Sequence, residues 1–94
     1  GRFMNSANLA YLRTVRIRKM DSAWVYHVLE AQEGIVSYST LPDGPDVLSP
    51  DGLSTCLLEL TVPAAFRNEV QDVLDDLVRS GVWIQVEKQE EQIP

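Results

Sequence analysis

The side chains able to do chemistry are few and dispersed. The chain holds one histidine, His27, and one cysteine, Cys56, fewer than the three or four protein ligands a zinc site takes. His27 falls off the apolar stripe of its segment and reads as a surface residue. Cys56 alternates with Leu58 and Leu60, which predicts a buried thiol. Glu30 with Glu33, and Asp72 with Asp75 and Asp76, sit at helical spacing opposite apolar stripes, where carboxylates form solvated faces rather than acid–base pairs. Asp43, Asp46 and Asp51 lack the alternate-residue spacing and the terminal bidentate Glu of a calcium loop. No Gly-rich phosphate loop, nucleophile elbow or HExxH run is present. No cofactor is expected.

Composition narrows the field further. Fourteen acidic residues against eight basic ones give a net charge of −6, opposite to the basic face that counterion release on nucleic acid needs. Arg2, Arg13, Arg16, Arg18 and Lys19 nevertheless cluster in the first nineteen residues, so charge is polarised along the chain. A single cysteine excludes an intramolecular disulfide framework and favours a reducing, cytoplasmic setting. No apolar run approaches the ~20 residues of a membrane helix, and no secretory signal pattern is expected at the N-terminus. Ninety-four residues make one domain, long enough to bury a core without staples.

The elements that must position these side chains follow from period. Residues 1–10 show none and are expected to form a flexible arm. Tyr11 to Lys19 alternates as a strand, with Val15 and Ile17 on one face and Leu12, Thr14, Arg16 and Arg18 on the other. Asp21 or Ser22 can cap a helix whose stripe is Trp24, Val25, Val28 and Leu29. Gly34 suits the left-handed position after it, and residues 35–41 are β-branched and hydroxyl-rich, a second strand. Residues 42–54 carry two Pro-Asp-Gly turns, a long connection that is either an ordered surface loop or a flap. Thr55 to Val62 is a third strand, with Cys56, Leu58, Leu60 and Val62 on one face. Pro63 opens a second helix over 64–80, with Phe66, Val70, Val73, Leu74, Leu77 and Val78 as its stripe, stopped by Gly81. Val82 to Glu87 is a fourth strand with Val82, Ile84 and Val86 inward, and 88–94 is expected to be a frayed acidic tail.

The order β-α-β-β-α-β over residues 11–87, with right-handed crossovers, predicts an α+β, ferredoxin-like domain: a four-stranded antiparallel sheet of order 4-1-3-2 with both helices on one face. Its other face then carries Leu12, Arg16, Arg18, Leu57 and Trp83 among polar neighbours, an expected contact surface, with Arg16 or Arg18 able to pair with Glu59. An RNA-recognition sheet would show aromatics on both central strands; Thr14, Arg16, Glu59 and Thr61 stand there instead.

The element order, Asp21 opening the first helix and Gly34-Ile35 leading into the second strand resemble the ACT and ACT-like domains. The Leu29–Leu41 run, LEAQEG…ST-L, is similar to a family of small bacterial domains of unknown function with the same fold. The resemblance implies a regulatory module that dimerises and binds a small effector near the first turn and helix, with Asp21, Ser22 and Gly34 as the expected ligand-binding residues. The ACT turn usually carries a glycine after its Asp, which Met20-Asp21-Ser22-Ala23-Trp24 lacks.

The expectation is a non-catalytic regulatory, binding or assembly module that forms a homo-oligomer, with no nucleic acid or membrane partner. The alternatives are an enzyme subunit using His27 or the acidic loop, and a nucleic-acid module using the basic first strand.

Overall fold

The computed structural model describes residues 9–32, 34–42, 47–88 and 91–93. The longest pairing joins β1 (Ala10–Arg18) to β3 (Thr55–Pro63), antiparallel from Ala10↔Pro63 to Arg18↔Thr55. Their alternation puts Val15, Ile17, Cys56, Leu58, Leu60 and Val62 on one face, and all six are buried. α1 (Ser22–Glu30) brings Val25 and Leu29 to this face, and α2 (Arg67–Arg79) brings Val70, Leu74 and Leu77, closing one core. β2 (Ser37–Leu41) pairs with β3, and β4 (Ile84–Val86) with β1. The sheet order β2-β3-β1-β4 is the expected 4-1-3-2, and the chain has the ferredoxin-like α+β fold. No helix among the described residues is long and apolar enough to cross a membrane.

Neither α1 nor α2 has a side-chain hydrogen bond at its N-cap, and backbone closures accompany Gln32 and Ser80 side-chain bonds at their C-terminal ends. Lys19–Asp21 form a 3-10 turn that leads into α1, and neither Asp21 nor Ser22 caps it; the Ser22 hydroxyl donates instead to the Lys19 carbonyl at 2.7 Å. α1 ends at Glu30, and Gly34 (φ +81°) serves a turn beyond it, closed by Ile35 N–H on the Gln32 carbonyl. After α2, Gly81 N–H bonds the Val78 carbonyl and Val82 N–H the Leu77 carbonyl, with Gly81 at φ +106°. That is the paired 5→2 and 6→1 closure that favours glycine. Pro63 is the last residue of β3, and Ala64–Phe66 form a 3-10 turn before α2 begins.

The apolar stripes are narrower than their spacing predicts. Trp24, Val78 and Val86 are 52, 51 and 58% exposed. Trp24 and Val78 lie at the flanks of their helices, and Val86 lies on an edge strand beside an open cavity that it lines with Leu74 and Val78 of α2. The C-terminal segment also departs from expectation. Glu91–Ile93 form a fifth strand, β5, pairing with Ala10–Leu12. β4 occupies only the Val15–Ile17 stretch of β1, so the rest of that edge presents unpaired N–H and C=O groups for β5 to satisfy. The expected arm over 1–10 lies mostly outside the described residues; within them, Ala10 belongs to β1 and the Leu9 carbonyl accepts from Ala64 N–H.

Replacing Leu58, which is fully buried, by alanine should cost about 2–5 kcal/mol. Val86→Ala should cost less than about 1 kcal/mol, since half of that side chain already meets water. Urea unfolding of the two variants checks the contrast, and equal losses would contradict this assignment of core and edge.

Candidate functional site

Three connections meet at the C-terminal end of β1: the Arg18–Ser22 turn, the stretch Val47–Ser54 before β3, and the Gly81–Trp83 turn before β4. The β1–β3 register brings them together, because it sets Arg18 opposite Thr55 and so places residue 54 beside residue 19. Lys19 N–H accordingly donates to the Ser54 carbonyl at 2.9 Å.

Arg18 ties the corner. Its Nε donates to Asp51 Oδ1 at 3.1 Å, and its guanidinium lies over the Trp83 ring, 5.6 Å from the centroid. Such stacking leaves the in-plane donors of a guanidinium available to a carboxylate. Asp51 is held in turn by the Ser49 hydroxyl, which donates to the same Oδ1. Ser49 is buried, its N–H donates to the Leu53 carbonyl at 2.8 Å, and its Oγ accepts from Leu53 N–H at 3.1 Å. The Ser49-Pro50-Asp51-Gly52 turn therefore aims one carboxylate at one arginine. The Ser49 hydrogen bond, followed by that from Arg18, holds the Asp51 carboxyl below the usual carboxylate range. Between these elements lies a cavity of about 330 Å³ lined by Arg18, Met20, Asp21, Asp51, Leu53 and Gly81.

Beside it, Arg16 is only 4% exposed. Its Nη1 donates to Thr55 Oγ1 at 2.7 Å, and the Thr55 hydroxyl donates onward to the Val47 carbonyl at 2.5 Å. Its Nε lies 3.5 Å from Glu87 Oε2 but makes no hydrogen bond among the described residues. Glu59, opposite Thr14, pairs with neither arginine among the described residues; Arg16 turns to Thr55 and Glu87, and Arg18 to Asp51. The Val47–Ser54 stretch thus sits over one end of the outer sheet face, and that face is not bare. Thr14, Arg16 and Thr55 are buried, while Leu12, Leu57 and Trp83 are half-buried.

The expected ligand-binding residues do not converge. Asp21 lines the corner cavity and Ser22 is the first residue of α1 beside it. Gly34 lines a separate cavity with Val36, Ser37, Thr61 and Pro63, beyond the other end of a helix roughly 14 Å long. The residues that define the corner and escaped sequence reasoning are Ser49, Asp51 and Trp83 in their joint role. The Ser-Pro-Asp-Gly run marked the turn, but only the fold shows which cation it faces. A second polar cluster joins α1 to β2: Tyr26 stacks on Tyr38 with centroids 5.0 Å apart, and Tyr38 donates to Glu30 at 2.7 Å, which raises its phenol pKa. His27 stacks on Trp24. No group of three or more His, Cys, Asp or Glu among the described residues could hold a metal ion.

Because the folded Asp51 pKa is depressed, the stability it contributes is present above the unfolded value and is lost as pH falls through the folded one. Loop amide shifts followed by NMR should therefore hold steady from neutral pH down into the ordinary carboxylate range and move only below it. Asp51→Asn should abolish that step, and a step left unchanged by the substitution would contradict the assignment.

No family model matches the chain, and no curated protein matches it. Among solved structures, it is similar to CPII, a nitrogen regulatory PII-like protein from Thiomonas intermedia K12 in a structure bound to ADP, AMP and bicarbonate. The TM-score is 0.63 at 9% identity, over 92% of this chain and 93% of that one. At that identity the likeness is one of fold, and it agrees with the ferredoxin-like arrangement built above.

Proposed function

We propose that the chain is a non-catalytic regulatory module, ACT-like or PII-like in its manner of working, that self-associates and takes a small anionic effector at the Arg18 corner. The observation that carries this reading is the double engagement of Arg18. One guanidinium lines a cavity, stacks on an indole and holds a carboxylate from a loop. An anionic ligand entering that cavity competes with Asp51 for the same donors, and the Val47–Ser54 stretch then loses one of the ties that hold it against β1, the one made by its Asp51 turn. Binding energy is thereby converted into a change of loop position, which is what a regulatory module requires. The solved PII-like neighbour, bound to ADP, AMP and bicarbonate, supports a search among nucleotides and small anions.

Self-association is assigned to the part of the outer sheet face that the loop leaves accessible, centred on Leu12 and Leu57. Arg16 is already engaged with Thr55 and serves that face as internal support, whereas Arg18 and Trp83 belong to its border with the corner.

Calorimetric titration with ADP, AMP and bicarbonate, beside light scattering of the eluting protein, tests both parts. At least one of the three should bind saturably, and Arg18→Met should weaken it by ~10- to 100-fold, the worth of a charge-assisted hydrogen bond. The mass should be that of a dimer or larger and should fall in Leu12→Glu. No binding by any of the three, or equal binding by Arg18→Met, would overturn the effector site; a monomer at high micromolar concentration would overturn the assembly.

A further inference from the structure

The helix layer holds an apolar groove that the fold does not fill. α1 and α2 both pack on the sheet but make little backbone contact with each other. Between them runs a groove of about 210 Å³, lined by Trp24 and Val28 from α1 and by Val73, Leu77 and Asp76 from α2. Trp24, 52% exposed, forms its wall, and its indole stacks on His27 with centroids 5.7 Å apart. A large aromatic held in place at the rim of an apolar groove is the kind of side chain that dominates protein–protein recognition, because little further ordering is needed on contact.

The charge around the groove selects the occupant. α1 and α2 together carry Glu30, Glu69, Asp72, Asp75 and Asp76 against Arg67 and Arg79. Both arginines are engaged, Arg79 with Asp76 and Arg67 over the Tyr11 ring at 4.7 Å. Glu69, Val73 and Asp76 fall at i, i+4 and i+7, so the carboxylates share the flank of the groove's own apolar residue. Glu69 and Asp72 have no ion-pair or hydrogen-bond partner among the described residues. A second copy would bring the same acidic layer against this one, and like charges oppose that pairing.

We propose that the α1–α2 groove is a docking site for a basic amphipathic helix of another protein, whose apolar stripe covers Trp24 and Val73 and whose lysines or arginines meet Glu69 and Asp72. This groove shares no lining residue with the Arg18 corner and lies on the helix side of the sheet, so its test is distinct from that of the effector reading.

The test is fluorescence anisotropy of a dye-labelled peptide of roughly 15 residues, built from leucine and lysine with the leucines on one helical stripe, titrated with the full chain. Saturable binding is expected, weakened about tenfold or more by Trp24→Ala. It should also weaken in the surface pair Glu69→Gln with Asp72→Asn, which leaves the core untouched, and in high salt. A permuted peptide of the same composition and one with glutamate in place of lysine should bind far more weakly. Absence of saturable binding, equal binding by the control peptides, or indifference to both sets of substitutions would overturn the proposal. So would a change of oligomeric mass in Trp24→Ala, which would make the groove a contact between copies of this chain.

Discussion

The constraint on which the rest depends is the uninterrupted antiparallel pairing of β1 with β3. Nine consecutive Cα pairs, Ala10↔Pro63 to Arg18↔Thr55, fix which residues share a face and which connections end side by side. On the inner face the pairing assembles the aliphatic layer that receives both helices. Neither helix would hold its shape without it, since ordering a backbone residue costs roughly 1–2 kcal/mol and only covered apolar surface offsets that cost. At the far end the same register brings the first turn against the stretch before β3, and from this comes the Arg18 corner. A slip by one residue would turn every side chain of β1 to the opposite face. It would place arginines in the core and remove the corner at the same time.

What the sequence made legible and what it hid divide along the same line. Alternation within one strand is local, and Val15, Ile17, Cys56, Leu58 and Leu60 face inward as their spacing predicts. The order of elements and the strand order follow from period and handedness, which are also properties of short stretches. Register between strands is not local. The arginine–Glu59 pair suggested by neighbouring central strands is absent among the described residues, where Glu59 stands opposite Thr14 and the arginines find other partners. The partners of Arg16 and Arg18 come instead from Thr55, Glu87 and Asp51. Exposure at the margins is not local either. Trp24 and Val86 have the spacing of buried residues, yet two helices do not cover the full width of the layer, and both are left half in water. The pairing of Glu91–Ile93 with β1 was hidden for a different reason. A polar segment acquires strand structure when it supplies missing backbone partners, whatever its side chains.

The candidate ligand residues show the limit of reasoning from a resemblance. Asp21 and Gly34, named from the resemblance, stand at the two ends of the first helix, and those ends open onto different cavities. The grouping that the fold brings together is chemical: a guanidinium between an indole and a carboxylate, with a loop attached to the carboxylate. The three proposals fall on three different surfaces: a small anion at the corner, another copy on the accessible part of the outer sheet, and a basic partner at the acidic groove between the helices.

The central physical claim is that the Arg18–Asp51 ion pair, added to the Lys19–Ser54 and Thr55–Val47 hydrogen bonds, steadies the Val47–Ser54 stretch against the first strand, so that removing the Arg18 charge loosens the loop and leaves the sheet intact. Amide hydrogen exchange in wild type and Arg18→Met measures this directly. The account predicts faster exchange at Lys19 and Leu53, whose N–H groups bond Ser54 and Ser49, with protection across Val15, Ile17 and Leu58 unchanged. Unaltered exchange at Lys19 and Leu53, or loss of protection throughout the β1–β3 pair, would contradict it.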